Sequence, residues 1–163
     1  MITYVDTSVV RKLLVDDELG GDAAERLWLD SDFVVCAEIG YTEARTALAA
    51  AHRNARFTKR SHTSAKAELE GLWAQVDVVV VGTALIRAAG DLAEGEKLRG
   101  YDAVRLAASL ASSAAVFASA DDRLLAAARR HGLATPGLGR AVASGVADGL
   151  WPLITGTAAA PLS

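Results

Sequence analysis

Four acidic residues occupy places where an acid asks for an explanation. Asp6 ends the β-prone run Ile2-Thr3-Tyr4-Val5 and is followed by two hydroxyl residues, Thr7 and Ser8. Glu43 lies inside a long helical stretch. Residues at i, i+3, i+4 and i+7 share a helix face, so Glu43 falls on the apolar stripe of Ile39, Ala47 and Ala50. Glu38, about 140° round the same helix, shares its face with Thr42, Arg45 and Ala49 and reads as an ordinary solvated acid. Asp102 opens the helical run Asp102-Ala103-Val104-Arg105-Leu106-Ala107. An acid in a first turn also serves the helix dipole, without any chemistry. Asp121 follows the apolar run Ala115–Ser119. Ser119-Ala120-Asp121-Asp122 has the form of a capping box, hydroxyl first and acid three residues on. In that reading Asp121 is spare and points off a strand end. The other reading makes Asp121 the cap itself. This stretch alone decides neither, nor whether Asp121 or Asp122 is the fourth acid.

Taken together the four suggest one kind of chemistry. Carboxylates gathered on one rim repel unless cations neutralise them. Oxygen-only ligands select hard cations such as Mg²⁺ or Mn²⁺. Such ions activate water, and a pair of them clamps the attacking and leaving oxygens of a phosphodiester. The expected site is therefore Asp6, Glu43, Asp102 and Asp121, with Asp6, Asp102 and Asp121 as metal ligands.

The elements that must position these acids alternate. Strands are expected at Ile2–Val5, Phe33–Cys36, Val78–Val81 and Ala115–Ser119, with a last short one at Leu133–Thr135. The second and third are all-apolar runs, as expected for strands covered on both faces. Helices are expected at Val9–Val15 with Ser8 as N-cap, and at Asp22–Asp30, Ala37–Asn54, Thr63–Gln75, Thr83–Leu98, Tyr101–Ser112 and Asp122–His131. Asp16-Asp17-Glu18 and Gly20-Gly21 break the first from the second, and Gly132 closes the last as C′. Strands alternating with helices or helix pairs argue for an α/β domain whose parallel sheet is covered on both faces. In such sheets ligands bind outside the carboxyl ends of the strands, where Asp6 and Asp121 would stand.

The chain has 163 residues and a formal charge of −3, enough for one domain with a real core and too acidic for a uniformly basic nucleic-acid binder. The domain is expected over residues 1–138. Residues 139–163 form an Ala/Gly-rich tail in which Trp151 and its neighbours offer a docking point. Cys36 is the lone cysteine, so no internal disulfide and no thiolate zinc site are expected, and a reduced cytosolic compartment fits. No apolar run reaches the roughly 20 residues of a membrane span, and the N-terminus does not read as a signal peptide.

One charge cluster stands out against the acidic total. From Arg45 to Lys66 there are six Lys or Arg and no acid: Arg45, Arg53, Arg56, Lys59, Arg60 and Lys66, with His52 and His62 among them. Lys and Arg contacts to phosphates carry most sequence-independent RNA affinity. The plainer reading is a solvated helix end whose cations complement the dipole.

The chain resembles the PIN-domain ribonucleases, and among them the VapC-type toxins of bacterial toxin–antitoxin pairs. The resemblance rests on Val5-Asp6-Thr7-Ser8, on Tyr41-Thr42-Glu43-Ala44-Arg45 with Ala47-Leu48, on Leu98-Arg99-Gly100-Tyr101-Asp102-Ala103 with Leu106-Ala107, and on Ala118-Ser119-Ala120-Asp121 with Leu124. These run in the family's order over about residues 1–138. The resemblance implies a three-layer fold with a five-stranded parallel sheet and divalent-metal-dependent RNA cleavage. It further implies a homodimer and a cognate antitoxin. It puts the family's acids on Asp6, Glu43, Asp102 and Asp121, and its small hydroxyl residue beside the site on Ser8 or Ser119. RNA phosphates would then meet Arg45, Arg53, Arg56 and Arg60. Ser119 departs from the threonine often found there, and the tail is longer than a typical member's. Two other readings differ in class. A non-catalytic binding module would keep the fold without cleavage. A phosphoryl-transfer domain on a similar sheet would want an Asp where Ser8 stands or at Val81-Gly82.

Overall fold

A computed structural model describes residues 1–15 and 20–138. The expected break at Asp16-Asp17-Glu18, the tail and Trp151 lie outside the described residues. Four strands form one sheet: β1 (Ile2–Val5), β2 (Phe33–Ala37), β3 (Val76–Val79) and β4 (Val116–Ala118). The order is β3-β2-β1-β4, with every pairing parallel. The last expected strand is reduced to one parallel bridge between Ala134 and Val116, so the described sheet has four strands and the fifth position holds a single contact. Helices α1 (Thr7–Leu14), α2 (Gly21–Leu29), α3 (Ile39–Arg53), α4 (Lys59–Trp73), α5 (Thr83–Glu96), α6 (Gly100–Ala111) and α7 (Asp122–Arg130) fill the connections.

Side-chain alternation sorts the chain into three layers, because successive residues of a strand face opposite ways. Val5, Val34, Cys36 and Ala118 join the apolar sides of α1 to α4 in one core. Tyr4, Val35, Ala37 and Phe117 join residues of α6 and α7 in the other, where Tyr4 and Phe117 stack with centroids 5.1 Å apart. Phe117 is fully buried, and truncating such a side chain to Ala costs about 3–5 kcal/mol.

Several boundaries differ from expectation; Ala37, expected to open the third helix, instead ends β2 paired with Val79, and α3 starts at Ile39. Asp6, rather than Ser8, is the N-cap of α1 and accepts from the Thr7 amide; the helix starts as soon as the strand ends. α4 begins four residues earlier than expected, because the Thr58 hydroxyl accepts from the Ser61 amide and caps it there. β3 ends at Val79, two residues before the end of its valine run, since pairing with β2 stops at Ala37↔Val79. It is an edge strand and leaves Val78 and Val80 exposed, so β-branched content did not mean burial on both faces.

The connections place the site. From β1 the chain moves to β2 and β3 on one side, whereas β4 lies on the other side of β1. The direction of winding therefore reverses between β1 and β4. A crevice opens outside the carboxyl ends of strands at such a switch point. Asp6 follows β1 there and Ser119-Ala120-Asp121 follows β4.

Candidate active site

Asp6 is buried, with 4% of its surface exposed, and a buried carboxylate must be fully partnered. Its amide donates to Ala118 O on β4 at 2.9 Å, fixing the residue at the switch point. Its Oδ1 accepts from the Thr7 amide at 2.7 Å. Its Oδ2 accepts from the Ser8 hydroxyl at 2.9 Å and the Ser119 hydroxyl at 2.8 Å. The same two serines tie down the β4–α7 turn. Ser8 Oγ accepts from the Ala120 amide at 2.9 Å, and Ser119 Oγ accepts from the Asp121 amide at 3.1 Å. Thr7, Ser8, Ser119 and Asp6 thus form one hydrogen-bonded knot across β1 and β4.

Glu43 reaches this knot from α3. Gly40 lets the helix come close: a Cβ there would lie 2.5 Å from Cys36 Sγ on β2. One turn further on, Glu43 Oε2 accepts from the Thr7 hydroxyl at 2.6 Å. Glu38 stays outside the site, but it is the N-cap that precedes α3 rather than a residue on another face of that helix. It is not simply solvated, however: its Oε1 accepts from the Val81 amide at 2.8 Å and anchors the chain after β3.

The group at the centre is one that sequence reasoning missed, Arg105. Its Nη1 lies 2.7 Å from Asp102 Oδ1, its Nη2 2.6 Å from Glu43 Oε1 and its Nε 3.0 Å from Asp6 Oδ1. Acids from β1, α3 and α6 are therefore bridged by one guanidinium from α6. The expectation of mutually repelling carboxylates is corrected here, because the chain supplies its own cation. A signal was available: Arg105 is the one charge between Ala103 and Ser109, in a helix otherwise apolar over that span. Burial acts to lower the Arg105 pKa, but Asp6, Glu43 and Asp102 outweigh it and hold it above its usual value. Asp102 is raised instead: burial pushes it up, Arg105 pulls it down, and Asp121 and Asp6 add to the rise. The two directions agree physically: three acids outweigh burial at Arg105, whereas at Asp102 burial with the Asp121 and Asp6 charges outweighs Arg105 and Arg99.

Asp121 is the N-cap of α7, its Oδ1 accepting from the Arg123 and Leu124 amides at 2.9 and 3.0 Å. Ser119 therefore does not cap this helix, and the capping-box reading is corrected. Asp122 is exposed in the first turn and reaches none of this network among the described hydrogen bonds. A cavity of about 410 Å³ opens over the knot, lined by Asp6, Thr7, Ser8, Arg11, Glu43, Arg105 and Asp121 among others. Asp102 is paired with Arg105 and is not part of that lining.

The donor chemistry suits a hard divalent ion, since every acid offered is a carboxylate and hydroxyls surround them. The present arrangement is not a ready ligand set: among the described residues no three acids converge on one open point. Three of the acids are instead paired with the Arg105 guanidinium, and Asp121 caps α7. Cys36, beneath the site, is no alternative nucleophile, because burial, then Asp6 and Glu43, push its thiol up to about 12.

The basic stretch is elsewhere. Arg45 donates to Tyr41 Oη at 2.7 Å and pairs with Glu70 at 3.5 Å on the exposed side of α3 and α4. Arg53 and Arg56 lie at the far end of α3, and Arg60 in the first turn of α4. Ten residues of helix separate Arg53 from Glu43, about 15 Å of axial rise. His52 and His62 stack there with centroids 4.8 Å apart. No helix among the described residues is long and apolar enough to cross a membrane.

Comparison with known proteins adds the family context. The PIN domain family model matches residues 3–130. Ribonuclease VapC45 of Mycobacterium tuberculosis is 38% identical over 110 residues, 68% of this chain and 76% of the relative. Among solved structures, the sarcin–ricin loop cleaving toxin VapC20 of M. tuberculosis superposes with a TM-score of 0.60 at 24% identity, covering 77% of this chain and 94% of its own. VapBC2 from Rickettsia felis, bound to a DNA fragment from its promoter, gives 0.58 at 13% identity over 83% and 98%.

Proposed function

The chain belongs to the PIN-domain family, and from that premise we propose that it is an endoribonuclease, the toxin of a toxin–antitoxin pair, dependent on Mg²⁺ or Mn²⁺. One observation carries the reading: acids from β1, α3 and α6 converge within reach of one guanidinium at the sheet's switch point. The 38% identity to a named ribonuclease supports the substrate class. Asp6, Asp102 and Asp121 would hold the metal, and Glu43 would accept a proton from the attacking water. A bound divalent ion supplies water activation and stabilisation of the leaving oxygen. Thr7 keeps Glu43 aimed at the cavity, and Ser8 and Ser119 fix the rotamer of Asp6. Water attacks phosphorus in line, the bond to the 3′ oxygen breaks, and a 5′ phosphate and a 3′ hydroxyl remain.

Arg53, Arg56 and Arg60 would contact phosphates flanking the scissile one, with Arg45 nearer Glu43 on the exposed side of α3. The axial rise of about 15 Å between Arg53 and Glu43 favours phosphate binding over a direct part in the chemistry for Arg53. The family context supports a cognate antitoxin as partner and action in the cytoplasm. A homodimer is part of the same proposal. The exposed Val78 and Val80 at the β3 edge offer apolar surface that assembly could cover. The domain over 1–138 is proposed as the catalytic unit. Mapping RNA 5′ ends after induced expression tests the activity. The proposal predicts discrete new 5′-phosphate ends with the wild type and none with Asp6→Asn. Identical end profiles in the two would leave the binding-module reading standing.

A further inference from the structure

Arg105 is drawn in by three carboxylates at once, each of its nitrogens meeting a different acid. A guanidinium is a donor only and stays positively charged, so it cannot ligate a metal. It meets the same oxygens a divalent ion would need, and it carries the same sign of charge as that ion. Two cations a few ångströms apart repel strongly when partly shielded from water. The three contacts are unequal. Nη1 and Nη2 make short hydrogen bonds to Asp102 and Glu43. Nε is buried 3.0 Å from Asp6 Oδ1 yet makes no hydrogen bond, because its N–H is not directed at that oxygen. Asp6 is thus held by charge without a hydrogen bond, and it lines the cavity. Asp102 is paired with the guanidinium and does not line that cavity.

We propose that Arg105 is a resident counter-cation that occupies the acid cluster in the metal-free protein and must swing aside for a divalent ion to bind. It is a positioning residue that keeps the acids folded together and neutralised without metal, and it lowers the apparent metal affinity by competition. This rests on the metal-centre reading given above. It adds that metal uptake is an exchange of one cation for another.

Arg105→Gln tests it by calorimetric titration with Mn²⁺ and by thermal unfolding in chelator. With chelator the variant is expected to melt below the wild type, since its acids have lost their bridge. With Mn²⁺ it is expected to bind at least about tenfold more tightly, the direction set by removing a like charge at short range. Its Mn²⁺-induced rise in melting temperature should also exceed the wild type's. Millimolar guanidinium should refill the gap and weaken Mn²⁺ binding in the variant, and leave the wild type unchanged. Should Arg105→Gln not fold, Arg105→Lys carries the test: an ammonium cannot span three acids in a fixed fork, so its Mn²⁺ affinity should again exceed the wild type's. Mn²⁺ affinity in the folded variant equal to or weaker than wild type overturns the exchange while leaving the metal centre intact. Absence of Mn²⁺ binding in wild type and variants alike overturns the metal centre itself, and the exchange with it.

Discussion

Two regions of the molecule concentrate charge, and they use it in opposite ways. At the β1–β4 switch point, acids from three distant segments close around a single arginine, mostly out of contact with water. At the far end of α3 and the start of α4, a run of cations is strung along the surface with no acid in the sequence between Arg45 and Lys66. Along the chain the acidic region is sparse, since its members are scattered between Asp6 and Arg105, and the basic region is dense. Burial reverses the ranking, because charges in low dielectric interact far more strongly than solvated ones. Density along a chain measures solvated charge well and convergent charge hardly at all.

The comparison breaks first, if it breaks, at Asp6. Asp6→Asn should lower RNA cleavage by about three powers of ten, the scale of several kcal/mol of lost electrostatic stabilisation. It should also lower the stability of the metal-free protein by about 1–3 kcal/mol, because one partner of a buried pair with Arg105 is neutralised. Activity and denaturant melts read both. Asp121→Asn separates cap from charge: Asn caps as well as Asp, so lost cleavage with an unchanged melt assigns Asp121 to the site. Asp122→Asn should behave as wild type. Next come Glu43 on α3 and Glu38 at its N-cap. Glu43→Gln should lose most of its activity. Glu38→Gln should keep it, since an amide oxygen still accepts from the Val81 amide. Equal losses in the two would remove the argument from the apolar stripe.

Smaller effects belong to the basic region. Replacing Arg53, Arg56 and Arg60 together with Ala should weaken RNA binding and flatten the log–log salt slope by about two, at roughly 0.7 per phosphate contact. Mn²⁺ affinity should not move. An unchanged slope would return the stretch to a capped and solvated helix end. The smallest effect is on pH. Partial desolvation, then His52 and the Lys66 and Arg45 charges, lower the His62 pKa from 6.5. A histidine with a lowered folded pKa binds its proton more readily when unfolded. The stability it contributes is therefore present above about 6.5 and lost as pH falls through the lowered value. Unfolding midpoints of wild type and His62→Ala should converge as pH drops below 6; parallel curves would contradict the stacked-pair electrostatics.

Much of this was legible in the sequence. The valine and aromatic runs marked the strands, and the apolar stripe singled out Glu43 on α3, whereas Glu38 precedes that helix as its N-cap. The order of acids matched the rim of a parallel sheet. What sequence could not give was the pairing of groups across elements. Arg105 reads as one more helical cation until β1 and α3 are folded against α6. Whether Asp121 capped α7 depended on a turn geometry that the Ser119 hydroxyl settles by bonding Asp6 instead. The β3 register was hidden because four valines in a row permit several pairings, and pairing with β2 ends it two residues early.

The central claim, that Asp6, Glu43, Asp102 and Asp121 form one metal-dependent nuclease site, is tested most directly by cleavage of a defined structured RNA. Purified wild type and Asp102→Asn are compared in Mn²⁺ and in chelator, with circular dichroism confirming the fold of each. Discrete cleavage is expected from the wild type in Mn²⁺, none in chelator, and none from folded Asp102→Asn in either. Cleavage at the same positions by Asp102→Asn, or by wild type in chelator, would contradict the claim.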